Sequence, residues 1–255
     1  MTIGSPSAGR LRGCRVLVTR PADQAGALAD ALRDSGATVV IYPTIEVVDP
    51  PDWEPFDLAF ATVAPGDWVV LTSPSAVRMA VARLRSTGRL PVMAQVQIAA
   101  VGPGTAAALA AEGLRATVVP DPGRRNQEGL ADALDQVQAG TRVVFARALE
   151  GRDALARALT ARGVQVRTVP VSQTRPCPMP PLPAFDAALF ASPSALRAFV
   201  ERWTIAPLRS TVAVAIGPVT AEAMRQIGLS PGAVAAEPTP AALVSALAHA
   251  LERGA

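Results

Sequence analysis

The chain contains two copies of itself, and the copies interleave. Residues 15–47, RVLVTRPADQAGALADALRDSGATVVIYPTIEV, align without a gap on residues 142–174, RVVFARALEGRDALARALTARGVQVRTVPVSQT. Arg15, Arg20, Leu28, Leu32, Gly36, Val39 and Pro43 fall on Arg142, Arg147, Leu155, Leu159, Gly163, Val166 and Pro170. Two further stretches repeat at other offsets. DWVVLTSPSAVRMAVARL (67–84) falls on DAALFASPSALRAFVERW (186–203), and VGPGTAAALAAEGL (101–114) on IGPVTAEAMRQIGL (216–229). Self-similarity of this length fixes the architecture before any single residue does. It predicts two similar α/β domains facing one another, with a ligand site between them.

At 255 residues the chain is long enough for two domains that each bury a core. Half of the residues are apolar, which marks a folded globular protein. The opening MTIGSPSAGRLRG has no apolar h-region, so no signal peptide is expected, and no apolar run is long enough to span a membrane. Cys14 and Cys177 lie far apart without CxxC spacing and read as reduced thiols, so the expected compartment is the cytoplasm.

The basic residues narrow the chemistry. All 24 are arginine, with no lysine anywhere, which removes Schiff-base chemistry and the lysine of a P-loop. The single histidine, His249, sits in the expected last helix, in a solvated or capping place. Serine–histidine and cysteine–histidine pairs, and histidine metal sites, are therefore not expected. The remaining tools are hydroxyls, carboxylates, arginines and backbone amides. The net charge is only +3 and the arginines are scattered, unlike a nucleic-acid surface, so an anionic small molecule is the better partner.

Short apolar runs alternate with helical patterns throughout. Residues 16–19, 38–42, 67–72, 96–101, 116–119, 142–146, 164–169, 186–191, 212–216 and 233–236 read as strands apolar on both faces, as in a covered parallel sheet. QAGALADALRDSG and GRDALARALTARG between them have helical spacing and a stopping glycine. The fold class is α/β, with doubly wound parallel sheets. The proline-rich stretches DPPDWEPF (49–56) and RPCPMPPLPAF (175–185) bracket the middle of the chain. They predict that residues 50–170 form one domain inserted into another made of 13–46 plus 175–255. TIEV (44–47) and VSQT (171–174) would pair as a two-strand hinge, and residues 1–12 would be a flexible tail.

Ligands of such sheets bind beyond the carboxyl ends of the strands, and three repeated motifs fall there. In LTSPSA (71–76) and FASPSA (190–195), Ser73 and Ser192 are N-caps, with Pro74 and Pro193 opening the helix. Ser75, Ser194 and Thr72 are not needed as caps, and the free N–H groups of such helix starts suit a carboxylate or phosphate. In VGPGT and IGPVT, Gly102 and Gly217 allow a tight turn, and Thr105 and Thr220 offer hydroxyls in the first helical turn. Neither motif is a GxGxxG or Walker loop. Arg20 and Arg147, just past equivalent strands, are either surface residues or carboxylate clamps.

This ordered set resembles the uroporphyrinogen-III synthase family: TRP after the first strand, TSPSA, VGPGTAAAL, the second ASPSA and IGPVTAEAM. The resemblance runs from about residue 14 to about residue 250. It implies two flavodoxin-like domains with parallel sheets, one inserted in the other and joined by a two-strand hinge. It further implies a hydro-lyase that cyclises hydroxymethylbilane to uroporphyrinogen III, in tetrapyrrole biosynthesis, with inversion of ring D and loss of water. The implied reaction runs through an azafulvene and a spiro intermediate, without cofactor or metal. The enzyme would be a monomer, in transient contact with hydroxymethylbilane synthase. Ser73, Ser75, Thr105, Ser194 and Thr220 would then touch substrate, Thr220 among the catalytic groups.

The family usually carries a tyrosine just after the second hinge strand, as the candidate acid for the leaving hydroxide. This chain has Ser172 at that position, and its only tyrosine is Tyr42, on the opposite hinge strand. Tyr42 either substitutes for the missing acid or has a core or hinge role. The departure leaves a non-catalytic tetrapyrrole- or anion-binding sensor as the main alternative. A two-domain glycosyltransferase-like enzyme is disfavoured by the symmetry of the motifs.

Overall fold

A computed structural model describes residues 9–254. The chain opens with β1 (Arg15–Val18), α1 (Ala22–Asp34), β2 (Thr38–Ile41) and β3 (Ile45–Val48). Then come α2 (Glu54–Phe60), β4 (Trp68–Leu71), α3 (Pro74–Ser86), β5 (Gln97–Ala100), α4 (Pro103–Ala111), α5 (Gln127–Ala133), β6 (Arg142–Ala148), α6 (Ala154–Ala161) and β7 (Gln165–Pro176). The last part holds β8 (Ala187–Phe190), α7 (Pro193–Trp203), α8 (Ala206–Arg209), β9 (Val212–Ala215), α9 (Pro218–Gln226), β10 (Ala233–Val234) and α10 (Pro240–Gly254).

These elements form two compact units. Unit 1 takes residues up to Glu46 and from Arg175 onward, and unit 2 is Val47–Thr174. Unit 1 carries a sheet of order β10-β9-β8-β1-β2, and its strand pairs are parallel. The second sheet has the order β3-β7-β6-β4-β5, with parallel pairing from β7 to β5. The chain crosses between the units on β3 and β7, which are neighbours in that sheet. Each sheet is covered on both faces. In unit 1, α1 and α10 bury Leu28, Leu32, Leu243 and Leu247 on one side, and α7 and α9 bury Leu196, Phe199 and Met224 on the other. In unit 2, Phe56, Val77, Leu84 and Leu109 pack on one face, and Leu130, Leu134, Leu155 and Leu159 on the other. The chain is thus α/β with two doubly wound parallel-sheet domains, because strands apolar on both faces need helices on both sides.

Three local expectations need correction. Residues 164–169 and 171–174 are one twelve-residue strand, β7, with a register shift where Arg147 pairs Pro170 and Ala148 pairs Ser172. Pro170 has no N–H for the ladder, and an irregularity in pairing is where a strand tolerates that loss. Residues 116–119 are not a full strand: Val118 bridges Ala99 alone, and Pro120 follows at once. The expected tail does not extend to residue 12. Residues 1–8 lie outside the described residues, but Leu11 is buried and its N–H donates to Ser35 at 3.0 Å. Gly36, with φ of +92°, stops α1 and lets this segment lie close against it.

Among the described residues no helix is long and apolar enough to cross a membrane. No group of three or more His, Cys, Asp or Glu among them could hold a metal ion.

Candidate functional site

The SPSA segments start α3 and α7 with the same geometry. Ser73 Oγ accepts from Ala76 N at 3.1 Å, and Ser192 Oγ from Ala195 N at 3.1 Å, with Pro74 and Pro193 in the first helical position. The next serines are half-buried, and their hydroxyls face arginines one turn on: Arg78 Nη2 lies 3.4 Å from Ser75 Oγ and Arg197 Nη2 3.3 Å from Ser194 Oγ. Thr72 is half-buried just before the first cap.

Gly102 and Gly217 are the N-caps of α4 and α9, both with fully extended backbone. Thr105 and Thr220 follow in the first turn, only 3% and 2% exposed. Neither hydroxyl has a hydrogen-bond partner among the described residues. None of α3, α4, α7 and α9 has an acidic residue in its first turn, a feature they share with α6, α8 and α10, whereas α1 carries Asp23, α2 Glu54 and Asp57, and α5 Glu128. An acid there complements the helix dipole by about 0.3–1 kcal/mol. The repeated starts at the carboxyl edges forgo it, which leaves each able to take an anion from outside.

The two repeat-equivalent arginines have diverged. Arg147 is an internal clamp: its Nη1 donates to Ala148 O at 2.6 Å and Leu149 O at 2.9 Å, and its Nη2 pairs with Asp153 at 2.7 Å. Gly151 permits the turn, since a Cβ there would stand 2.8 Å from Arg147 Cδ. The clamp holds Gly151 to Asp153 out of helix, so α6 begins at Ala154 and is shorter than its copy α1. Arg20 is half-buried after β1 and has no ion pair within its own unit among the described residues. Burial pulls its pKa below the usual arginine value.

Tyr42 is not on a hinge strand, since it follows β2 in unit 1 and precedes β3, and it does not stand free at a site. It is 1% exposed, packs with Phe190, Leu196 and Phe199, and its hydroxyl donates to Pro180 O at 2.6 Å. Burial raises its pKa, outweighing the Trp203 N–H and the Arg202 charge that pull the other way. Ser172 is 2% exposed on β7, and its carbonyl accepts from Leu149 N at 2.7 Å. Its hydroxyl has no partner among the described residues. His249 lies on the exposed face of α10, Nδ1 2.7 Å from Ser245 O.

Three buried polar residues position these elements; Thr44 and Gln127 were not singled out from the sequence, and Thr19 only as the first residue of TRP. Thr19 donates to Leu189 O at 2.7 Å and ties β1 to β8 ahead of Arg20. Thr44 donates to Ala195 O at 2.9 Å and holds the first turn of α7. Gln127, almost buried, donates to Arg152 O at 3.0 Å and accepts from Leu155 N at 3.2 Å, joining the starts of α5 and α6. Each is a buried polar side chain just past a strand or at a helix start, which is the one signal available in sequence. A cavity of about 570 Å³ in unit 2 lies by α6 and β7 and is lined by Arg147, Leu149, Arg157 and Thr168, not by the SPSA or GPGT starts.

A family model described as uroporphyrinogen-III synthase HemD matches residues 26–245. A uroporphyrinogen-III synthase of Synechococcus elongatus is 37% identical over 169 residues, 66% of this chain and 63% of that protein. A porphyrin biosynthesis protein HemD of Ruminiclostridium josui is 30% identical over 230 residues, 86% of this chain and 45% of that protein. The chain therefore spans less than two thirds of the length of these relatives. Among solved structures, a uroporphyrinogen-III synthetase of Helicobacter pylori superposes with TM-score 0.66 at 18% identity, covering 93% of this chain and 99% of that one. A mutant uroporphyrinogen III synthase of Thermus thermophilus gives TM-score 0.60 at 21% identity, covering 94% and 100%. At these identities the structural likeness speaks for the fold.

Proposed function

The chain belongs to the uroporphyrinogen-III synthase HemD family, and from that premise we propose that it cyclises hydroxymethylbilane to uroporphyrinogen III, acting as a hydro-lyase. The structural observation that carries the reading is the pair Thr105 and Thr220. Each is an almost wholly buried residue whose hydroxyl has no described partner, at the start of a helix whose first turn has no acid. Among the described residues the fully buried polar atoms without a partner are Arg147 Nε and Trp203 Nε1, so each threonine hydroxyl, though unpartnered, still meets solvent at the helix start. A carboxylate of a polyanionic tetrapyrrole would accept from it and from the adjacent N–H groups.

On this reading Thr72, Ser73, Ser75, Gly102 and Thr105 in unit 2, and Arg20, Ser192, Ser194, Gly217 and Thr220 in unit 1, hold substrate acetates and propionates. The substrate supplies the reactivity. The ring A nitrogen pushes out the hydroxymethyl oxygen, which takes up a proton and leaves as water. The substituted α-carbon of ring D bonds to the exposed methylene, giving the spiro intermediate. The older bond from that carbon to its bridge then breaks, and the free α-carbon of ring D closes on the released bridge. The proton lost from ring D balances the one taken up by the leaving oxygen. The protein contributes folding of the chain, exclusion of water and direction of closure.

Tyr42 is not the acid on this account, because its proton is committed to Pro180. A bound water near Ser172 or a substrate carboxyl protonates the leaving group. The same reading has the protein working in the cytoplasm as a monomer that takes its unstable substrate from hydroxymethylbilane synthase. Serine at 172 favours a second reading, a tetrapyrrole-binding relative without turnover. Complementation separates them: a bacterium lacking its own synthase should regain haem-dependent growth when it expresses this chain. Failure with the folded protein present would favour the binding relative.

A further inference from the structure

Position for position, the helix starts GPGT (102–105) and GPVT (217–220) differ at one residue, Gly104 in unit 2 against Val219 in unit 1. Val219 is 71% exposed, the most exposed large apolar side chain among the described residues. Local physics does not select it. A β-branched side chain loses rotamer freedom in a helix, and an acid at this place would complement the dipole. At such exposure valine gains little from burial. Packing does not force the difference either, since a Cβ at Gly104 would meet only Pro74 Cγ, at an ordinary 3.9 Å. A residue that breaks local rules without local compensation points to function.

The surroundings of the two positions are otherwise alike. Thr105 and Thr220 are both buried, and the repeat-equivalent Val119 and Val234 are exposed alike, 39% and 38%. Val118 bridges the parallel strand residue Ala99, and Val234 pairs Ala215, so both valines lie toward the carboxyl edge of their sheets. Each unit thus offers the same anion-binding groups and the same edge valine, and only one offers an apolar side chain beside the buried threonine.

We propose that Val219 is a specificity-determining residue that seats a pyrrole ring of the linear tetrapyrrole in unit 1 and so distinguishes one end of the substrate from the other. The inference rests on the synthase reading. Repeated anion sites alone would accept a carboxylate-rich chain in either direction. The type III product requires that one terminal ring be turned and the other not, so the ends must be told apart. An exposed valine beside Thr220, with only hydrogen at the equivalent place beside Thr105, supplies that asymmetry through an apolar contact on the flat face of a ring.

The test compares wild type with Val219→Gly, which makes the two starts alike, and Val219→Ile, which keeps the apolar contact. Substrate is generated in place from porphobilinogen and hydroxymethylbilane synthase, and the uroporphyrin isomers are separated after oxidation. Val219→Gly should keep its thermal midpoint within a few degrees while the share of type I product rises and KM increases about tenfold, as loss of one apolar contact implies. Val219→Ile should restore both. A wild-type isomer ratio and KM in Val219→Gly would overturn the proposal and leave the synthase reading standing. Type I alone from the folded wild type would overturn that reading and the proposal with it.

Discussion

The Tyr42 hydroxyl donates a 2.6 Å hydrogen bond to the carbonyl of Pro180. The bond ties the end of β2 to the proline-rich stretch 175–185, whose Met179, Leu182 and Phe185 pack on the same core. A run of prolines is poor in N–H groups and cannot make a ladder of its own. A buried phenol that satisfies one of its carbonyls therefore fixes the segment where it returns to β8. The only tyrosine of the chain is engaged in structure.

Tyr42→Phe should cost about 1 kcal/mol of unfolding free energy, the worth of one buried hydrogen bond. Turnover should stay within about twofold of wild type, since a group that only holds structure leaves the barrier unchanged. Urea denaturation and initial rates check the two parts. Loss of turnover with the fold intact would instead place the phenol in the reaction.

Arg20 and Arg147 should part company on mutation, although the repeat makes them equivalent. Arg147→Ala removes a clamp on Ala148, Leu149 and Asp153. It should destabilise the protein by about 1–3 kcal/mol, because two charge-assisted bonds to carbonyls are lost together with an ion pair to the half-exposed Asp153. Arg20→Ala should leave stability little changed and raise KM about tenfold, the loss of one carboxylate contact. Denaturation midpoints and KM, measured on both variants, decide it.

The capping serines separate folding from binding. Ser73→Ala and Ser192→Ala should each cost about 1 kcal/mol, the usual value of an N-cap. Ser192→Asp keeps the cap but puts a negative charge where a substrate carboxylate would sit. It should therefore fold as well as wild type while KM rises more than about tenfold. A normal KM in Ser192→Asp would remove this helix start from the site.

Alkaline stability follows from Cys14. Burial first, and the Asp186 charge second, push its thiol from 9.0 up to about 11. A raised acid favours the folded state while it stays protonated, so the contribution is complete below pH 9. It is lost as pH climbs to about 11, where the unfolded thiol has ionised and the folded one follows. Tyr42 and Cys177 are shifted the same way and add to the fall. Unfolding free energy should drop across this window, by up to about 2–3 kcal/mol from Cys14 alone. Cys14→Ala should flatten the drop.

The architecture was legible because apolar runs of strand length alternate with leucine–alanine spacing, and because the repeat doubles each signal. The caps were legible in SPSA, where serine and proline each have a fixed helical position. What was not legible depends on contacts between residues distant in the chain. Arg147 reads like Arg20 until Asp153 and Gly151 fold back on it. The proton of Tyr42 looks available until Pro180 lies above it. Leu11 looks like part of a tail until the Ser35 carbonyl takes its N–H. Thr44 carries no motif, and its part in holding α7 shows only through Ala195.

Whether the protein steers ring closure is decided by the isomer composition of uroporphyrin made from hydroxymethylbilane with increasing amounts of this protein. Spontaneous closure gives type I. The type III fraction should rise in proportion to added protein and fall in the double variant Thr105→Val/Thr220→Val, which loses both unpartnered hydroxyls. Type I alone at every concentration of folded protein would refute the synthase reading.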